Sequence, residues 1–305
     1  MAFPITAGAR EYSGTFIPEI WASKLVENLY DATVLTAISN TDYEGEIKKF
    51  GDTVNIRIAP SVTLRPYTKG MTLTVERPEG TKLQLLIDQG EYFNCVEDDI
   101  DKIQADVDMM NEWSKDASER MKIAIDSKVL PGIVPDISAL NQGATAGRIS
   151  GNINLGATGS PVQVTKTNVL DLLVDAGVVL DEANIPESGR FLVIPAWMAG
   201  MIKKSDLKDA SLTGDASSVL RNGRLGMIDR FTLYTSHNLG SVIDTANRCF
   251  NVVGGHKMAL TFATQMTNME SIRLESTFGT AIRGIQAYGY KVVKPEALVR
   301  LYVRQ

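Results

Sequence analysis

Residues 97–130 read EDDIDKIQADVDMMNEWSKDASERMKIAIDSKVL, a run without a Pro or Gly. Ile100, Ile103, Val107, Met110, Ala117, Met121 and Ala124 recur at the spacing of one helical face. Asp98 or Asp99 can cap the start, and an acidic first turn suits the positive end of the helix dipole. Pro131-Gly132 stops the run. The pattern predicts a helix over 98–130, ~45 Å long at about 1.5 Å per residue. A rod of that length is a spine that carries other elements. The alternative is an ordinary long helix inside an α/β protein.

Upstream of the helix the period changes. Val54, Ile56 and Ile58 alternate with Thr53, Asn55 and Arg57, a two-residue repeat that predicts a half-exposed strand. After Pro60, Pro66 and Gly70, the residues Met71, Leu73 and Val75 alternate with Thr72, Thr74 and Glu76. Leu83, Leu85 and Ile87 follow the break at Pro78-Glu79-Gly80. The simplest folding is a long antiparallel hairpin with its tip near Arg65-Pro66-Tyr67-Thr68-Lys69-Gly70. Strands of about twelve residues at ~3.3 Å each give an arm on the order of 40 Å. A two-stranded ribbon of that length does not stand alone in water, so its apolar stripe needs a partner. Two edge strands of a local sheet are the alternative.

Earlier still, residues 1–15 are small and polar and read as an extended arm. Phe16-Ile17-Pro18-Glu19-Ile20-Trp21 leads into a helical pattern with Trp21, Leu25, Leu29 and Tyr30 on one side. Downstream of the spine, 131–161 has loop composition. Thr167 or Asn168 can cap a helix carrying Leu170, Leu173, Val174 and Leu180. Phe191-Leu-Val-Ile194 reads as a buried strand, Ala196–Lys204 as helix and Phe231–Tyr234 as a second strand, together a small α/β module. The end is strand-like again: Ile272 and Leu274 alternate with polar residues, as do Val299, Leu301 and Val303. Between them the glycines of 278–290 imply bends or close backbone approaches.

Composition narrows the function. The chain has 305 residues, 44% hydrophobic and 22% charged, enough for one large core or two modest ones. A net charge of -5 argues against a general nucleic-acid-binding surface. Cys95 and Cys249 supply neither a disulfide framework nor a metal site and fit a reducing interior. The sequence has no membrane-length apolar run, and its first residues lack a secretory layout, so a cytoplasmic origin is expected. His237 and His256 are the only histidines and have no partners at triad or metal spacing. Gly254-Gly255-His256-Lys257 lacks phosphate-loop spacing, and neither a nucleophile elbow nor a dinucleotide fingerprint is present. Asp98, Asp99, Asp101, Asp106 and Asp108 read as a solvated helix face, not as metal ligands. No enzyme site and no cofactor is expected.

Five stretches carry a resemblance: Phe16–Ala22; Tyr43–Ile47 with Gly51–Ile56; Ile185–Pro195; Gly223–Ser236; and Phe278–Gly284. With the order arm, hairpin, long helix, α/β module and return strands, the chain resembles the major capsid proteins of tailed bacteriophages, the shell fold first described in a Hong Kong coliphage. The resemblance implies an α+β shell fold. Residues 1–45 would be the N-terminal arm, 46–96 the extended β-hairpin loop, and 97–165 a peripheral domain with the spine at 98–130. Residues 166–250 would be the axial domain, and 251–305 return strands completing both. It implies self-assembly into hexamers and pentamers of a head enclosing double-stranded DNA, inside the host cytoplasm and then in the virion. Implied partners are a scaffolding protein, a portal and a decoration protein, with weak contact to packaged DNA and no membrane. The implied subunit-interface residues are Trp21, Arg65, Tyr67, Lys69, Met71, Leu73, Arg77, Arg221 and Arg224. Some relatives link a loop lysine covalently to a neighbour's asparagine. Lys69 sits at the hairpin tip, but with no identifiable acidic catalyst or acceptor that chemistry is not carried over. Two alternatives stay open at this point: an encapsulin-type nanocompartment shell, and a soluble α/β enzyme of unknown chemistry.

Overall fold

The computed structural model describes residues 33–42, 53–58, 60, 62–100, 109–205, 226–244, 246–275 and 277–305. In chain order the elements are α1 (Leu35–Ile38), β1 (Thr53–Ile58), β2 (Thr81–Leu86), β3 (Gln89–Asp98), α2 (Met109–Gly132), β4 (Val162–Gln163), α3 (Val169–Glu182), β5 (Arg190–Ile194), α4 (Ala196–Lys204), β6 (Met227–Ile228), β7 (Phe231–Thr235), β8 (Ser241–Asp244), β9 (Asn247–His256), β10 (Leu260–Arg273), β11 (Gly279–Val292) and β12 (Leu298–Arg304).

The larger sheet runs β4-β12-β9-β5-β7-β6, with β8 also paired to β9. Its centre shows why an unbroken apolar run makes a strand buried on both sides. Successive side chains point to opposite faces. Phe191 and Val193 enter one core with Ile125 and Val129 of α2 and Val253 of β9. Leu192 and Ile194 enter a second core with Leu173 and Leu180 of α3 and Met198 and Ile202 of α4. β5 is clamped at its first residue. The buried Arg190 guanidinium donates to Asp181 Oδ1 at 2.7 Å and to the carbonyls of Ile185 and Pro186 at 2.6 and 2.9 Å. Burial opposes the Asp181 charge, but hydrogen bonds from Arg190 and Arg230 outweigh it and hold the carboxyl below its ordinary value.

The smaller sheet is β10-β11-β3, all antiparallel. α2 lies against it, and the Lys128–Glu91 ion pair ties the helix to β3. Glu112–Lys115, Asp116–Arg120 and Glu119–Lys122 line the helix's solvent side at 2.9, 2.7 and 2.6 Å. Such exposed pairs add little stability. The helix is held by Ile125, Val129 and Leu130, which are buried in the first core with Met121 packed against it.

Several expectations change. Glu97 and Asp98 belong to β3, so the run begins as strand; Asp99 and Ile100 are helical, and 101–108 lie outside the described residues. At the other end the helix reaches Gly132 and holds Pro131 in its last turn. A proline there has no N–H to donate to the Ser127 carbonyl one turn back, and the helix ends one residue later. The buried stripe is Ile125 and Val129, with Met121 partly buried against the core, while Ala117 and Ala124 line a groove toward β3. Asn168 occupies the N-cap of α3, but its Oδ1 accepts from Thr165 N–H at 2.7 Å and makes no bond to the helix. Residues 131–161 are packed as well as irregular: Asn141 is buried, and its Nδ2 donates to the carbonyls of Glu296 and Leu298. The sheet of the α/β module also contains β9 and β12.

Candidate assembly surface

β1 and β2 pair antiparallel from Thr53↔Leu86 to Ile58↔Thr81. Five residues further along each strand, Thr63 Oγ1 donates to Glu76 Oε1 at 3.1 Å. Five further again, Met71 N–H donates to Thr68 O at 3.1 Å across the two-residue turn Lys69-Gly70. The register is therefore unbroken to the tip although the ladder stops at Ile58. Gly70 takes φ 91°, a left-handed conformation that glycine adopts without a Cβ clash.

Alternation then assigns the faces. The ribbon face carrying Val54, Ile56, Leu83 and Leu85 at the base continues outward as Val62, Leu64, Pro66, Met71, Leu73 and Val75. The opposite face carries Thr63, Arg65, Tyr67, Thr72, Thr74 and Glu76. At the base the apolar face is covered: Ile56 and Leu85 are 4% and 0% exposed, packed with Ala263 of β10. Beyond the body it is bare, with Leu64 and Val75 both 93% exposed. The seat is close enough to require a glycine, because a Cβ on Gly289 of β11 would lie 2.0 Å from the Leu86 carbonyl oxygen.

Of the interface residues expected from sequence, Met71, Leu73 and Arg77 lie on the apolar face; Arg65 and Tyr67 lie on the polar one, and Lys69 is in the turn. All six are exposed. Trp21, Arg221 and Arg224 lie outside the described residues. Val62, Leu64 and Val75 were missing from the expected set, although the parity of Val54 and Ile56, carried past Pro60, would have found the first two.

The remaining sequence candidates resolve into structure. Gly254-Gly255-His256 ends β9, and His256 Nδ1 accepts from Met258 N–H at 3.1 Å in the turn that follows. Asp99 pairs with Arg273. Among the described residues, no three His, Cys, Asp or Glu gather as metal ligands, and no helix is long and apolar enough to cross a membrane.

The fold has close counterparts. A chain from Mycobacterium phage Che8 is 27% identical, with a TM-score of 0.78 over 95% of this chain and 98% of that one. The cyanophage P-SCSP1u capsid gives 14% and 0.73 over 94% of this chain and 93% of that one. The capsid of Ralstonia phage GP4 gives 11% and 0.67 over 98% of both. No curated protein matches. A helix laid on a three-stranded sheet, a second sheet beside it and a ribbon thrown past the body define the α+β shell fold of tailed-phage heads. The model for phage capsid protein matches residues 86–301, most of the chain, and the chain belongs to that family. It is a viral structural protein, the major capsid protein of an icosahedral bacteriophage head.

Proposed function

We propose that this capsid protein closes its shell by laying the ribbon of one subunit over its neighbour, in pentamers and hexamers that enclose double-stranded DNA. One observation carries the reading: the apolar face that is buried at the ribbon's base runs on uncovered to its tip. A monomer leaves that stripe in water, and a bare apolar patch marks an interaction site. Copies of the same chain supply repeated identical cover, and head-to-tail contacts close into rings when the rotation allows. Residues 1–45 would act as an arm, 46–96 as the extended loop, 97–165 as the peripheral domain and 166–250 as the axial domain, with 251–305 completing both. A net charge of -5 suits a wall that confines DNA without gripping it. Scaffolding, portal and decoration proteins are the expected partners, assembly takes place in the host cytoplasm, and no catalysis is assigned.

Leu64→Asp tests this reading. The side chain is exposed, so stability should stay within about 0.5 kcal/mol of the unaltered protein. Burying a carboxylate in an apolar contact should instead abolish closed particles in sedimentation and negative-stain microscopy. If Leu64→Asp assembles at the unaltered yield, the ribbon is not the joint.

A further inference from the structure

The run Gly254-Gly255-His256-Lys257, which lacks phosphate-loop spacing, lies where the two sheets are joined. β9 of the larger sheet ends at His256, the single turn Lys257–Ala259 follows, and β10 of the smaller sheet starts at Leu260. The chain comes back through a second crossing, from Val292 at the end of β11 through the turn Pro295–Ala297 to Leu298 at the start of β12. The two crossings are tied together: Val293 and Lys294 N–H both donate to the Ala259 carbonyl, at 2.7 and 3.4 Å. His256 ties the first crossing to a third segment. Its Nδ1 caps the turn by accepting from Met258 N–H at 3.1 Å. The other side of the ring lies on the loop before β5: it hydrogen-bonds the Ser188 backbone, and a Cβ built on Gly189 would stand 3.2 Å from Nε2. Gly189 takes φ 79°, so the loop meets the ring with bare backbone. The same loop carries Ile185, which packs against both cores.

We propose that neutral His256 is a pin in the joint between the two sheets, and that one proton on its ring withdraws it. A neutral imidazole has one donor and one acceptor. With Nδ1 accepting from Met258, the ring carries its hydrogen on Nε2, toward the Ser188 backbone. Protonation puts a hydrogen on Nδ1 as well, where a donor then meets the Met258 N–H donor. The turn loses its cap. No neighbouring charge favours the protonated ring: those acting on it are Arg190 of β5, Lys294 of the return crossing and Lys257 of the turn itself, all positive. Lys294 Nζ lies against Met258 Sδ at 3.6 Å. The acids of the adjoining elements are engaged elsewhere or face water. Asp181 of α3 pairs with Arg190 and Arg230 at 2.7 and 2.9 Å, Glu187 of the loop pairs with Arg230 at 3.0 Å, and Glu296 of the return crossing is exposed.

Burial is the largest influence on the ring and lowers its pKa below the ordinary 6.5; the Ser188 bond pulls it partly back, and the three cations push it down. The pinned state therefore binds a proton less tightly than a state in which His256 meets water. The pin is fully in place above pH 6.5, and it is lost as pH falls through the lowered value. Asp181, whose carboxyl is held below its ordinary 3.8, gives way only in stronger acid, so the two losses are separable.

The chain has two histidines and His237 is exposed, so both can be followed in one sample of the full-length subunit. Ring-nitrogen NMR should show His256 with its hydrogen on Nε2 and titrating at lower pH than His237. Hydrogen exchange read by mass spectrometry tests the joint, with Val129 of α2 and Val193 of β5 as references. After correction for intrinsic rates, residues 257–259 should lose protection roughly fivefold or more between about pH 7.5 and about pH 5, the usual effect of losing a helix cap, while both references hold. His256→Asn keeps an acceptor in the capping position that does not titrate in this range, and should keep 257–259 protected at both pH values. His256→Ala should show low protection at both. A His256 that titrates at or above His237 overturns the proposal. So does pH-independent protection of 257–259 in the unaltered protein, or equal behaviour of the Asn and Ala variants. Should His256→Ala lose the references too, the unaltered protein and His256→Asn still decide: pH-dependent protection in the first and flat protection in the second uphold the pin, and any other pair of results removes it.

Discussion

The base and the outer half of the ribbon have the same alternation and opposite surroundings. Ile56 and Leu85 are sealed beneath β10 and β11, while Leu64 and Val75, on the same face, stand in solvent. Residue type does not separate them: each is a branched apolar residue on one face of the ribbon. What separates them is where the body ends. A residue's contribution to folding is thus decided at the base within one subunit, and further out, on the proposed assembly, it is deferred until another copy arrives.

The comparison breaks first at its buried end. Leu85→Ala empties a fully covered position and should cost about 2–5 kcal/mol of subunit stability, read by urea denaturation. The loss would appear before any assembly is attempted. Gly289→Ala strikes the seat from the other side. Its new Cβ would stand 2.0 Å from the Leu86 carbonyl, a backbone atom that can give way only if β2 shifts. Overpacking of this kind costs about 1–3 kcal/mol. The ribbon should also swing on its root, so particle yield should fall further than stability alone accounts for. A Gly289→Ala subunit with unchanged melting would show that β2 is not seated on β11 as described.

Elements whose partners are near in sequence were legible in advance. The strand Phe191–Ile194 and the helix Ala196–Lys204 follow from local runs, and the pairing of β1 with β2 follows from alternation. β3 and β9 were not, because Gln89–Asp98 and Asn247–His256 mix glycines with polar residues and become strands only through distant neighbours, β11 in one case and β5 and β12 in the other. The glycines of 278–290 did signal close approaches, yet the segment is one long strand and not a series of bends. The role of His256 was invisible for another reason. In the sequence it reads as one residue of a glycine-rich turn, and only the fold brings the Ser188–Gly189 backbone against its ring. The outer ribbon residues were legible as a stripe, but which of them form the bare face depends on a register that only the turn at Lys69-Gly70 fixes.

The smallest expected effect sharpens the contrast most. Thr72 and Leu73 are adjacent in sequence and lie on opposite faces of the ribbon, both exposed. Within one subunit neither side chain is buried, so Thr72→Asp and Leu73→Asp should each leave stability within about 0.5 kcal/mol. Their effects on assembly should differ because a carboxylate on the polar face stays in water, whereas one on the apolar face must be dehydrated when a neighbour covers it. Thr72→Asp particles should form at near the unaltered yield and Leu73→Asp particles should not, by sedimentation of the assembled shell. Equal loss in both would mean that a neighbour grips the ribbon from both sides, and that the division into a buried and a wet face ends at Ile58.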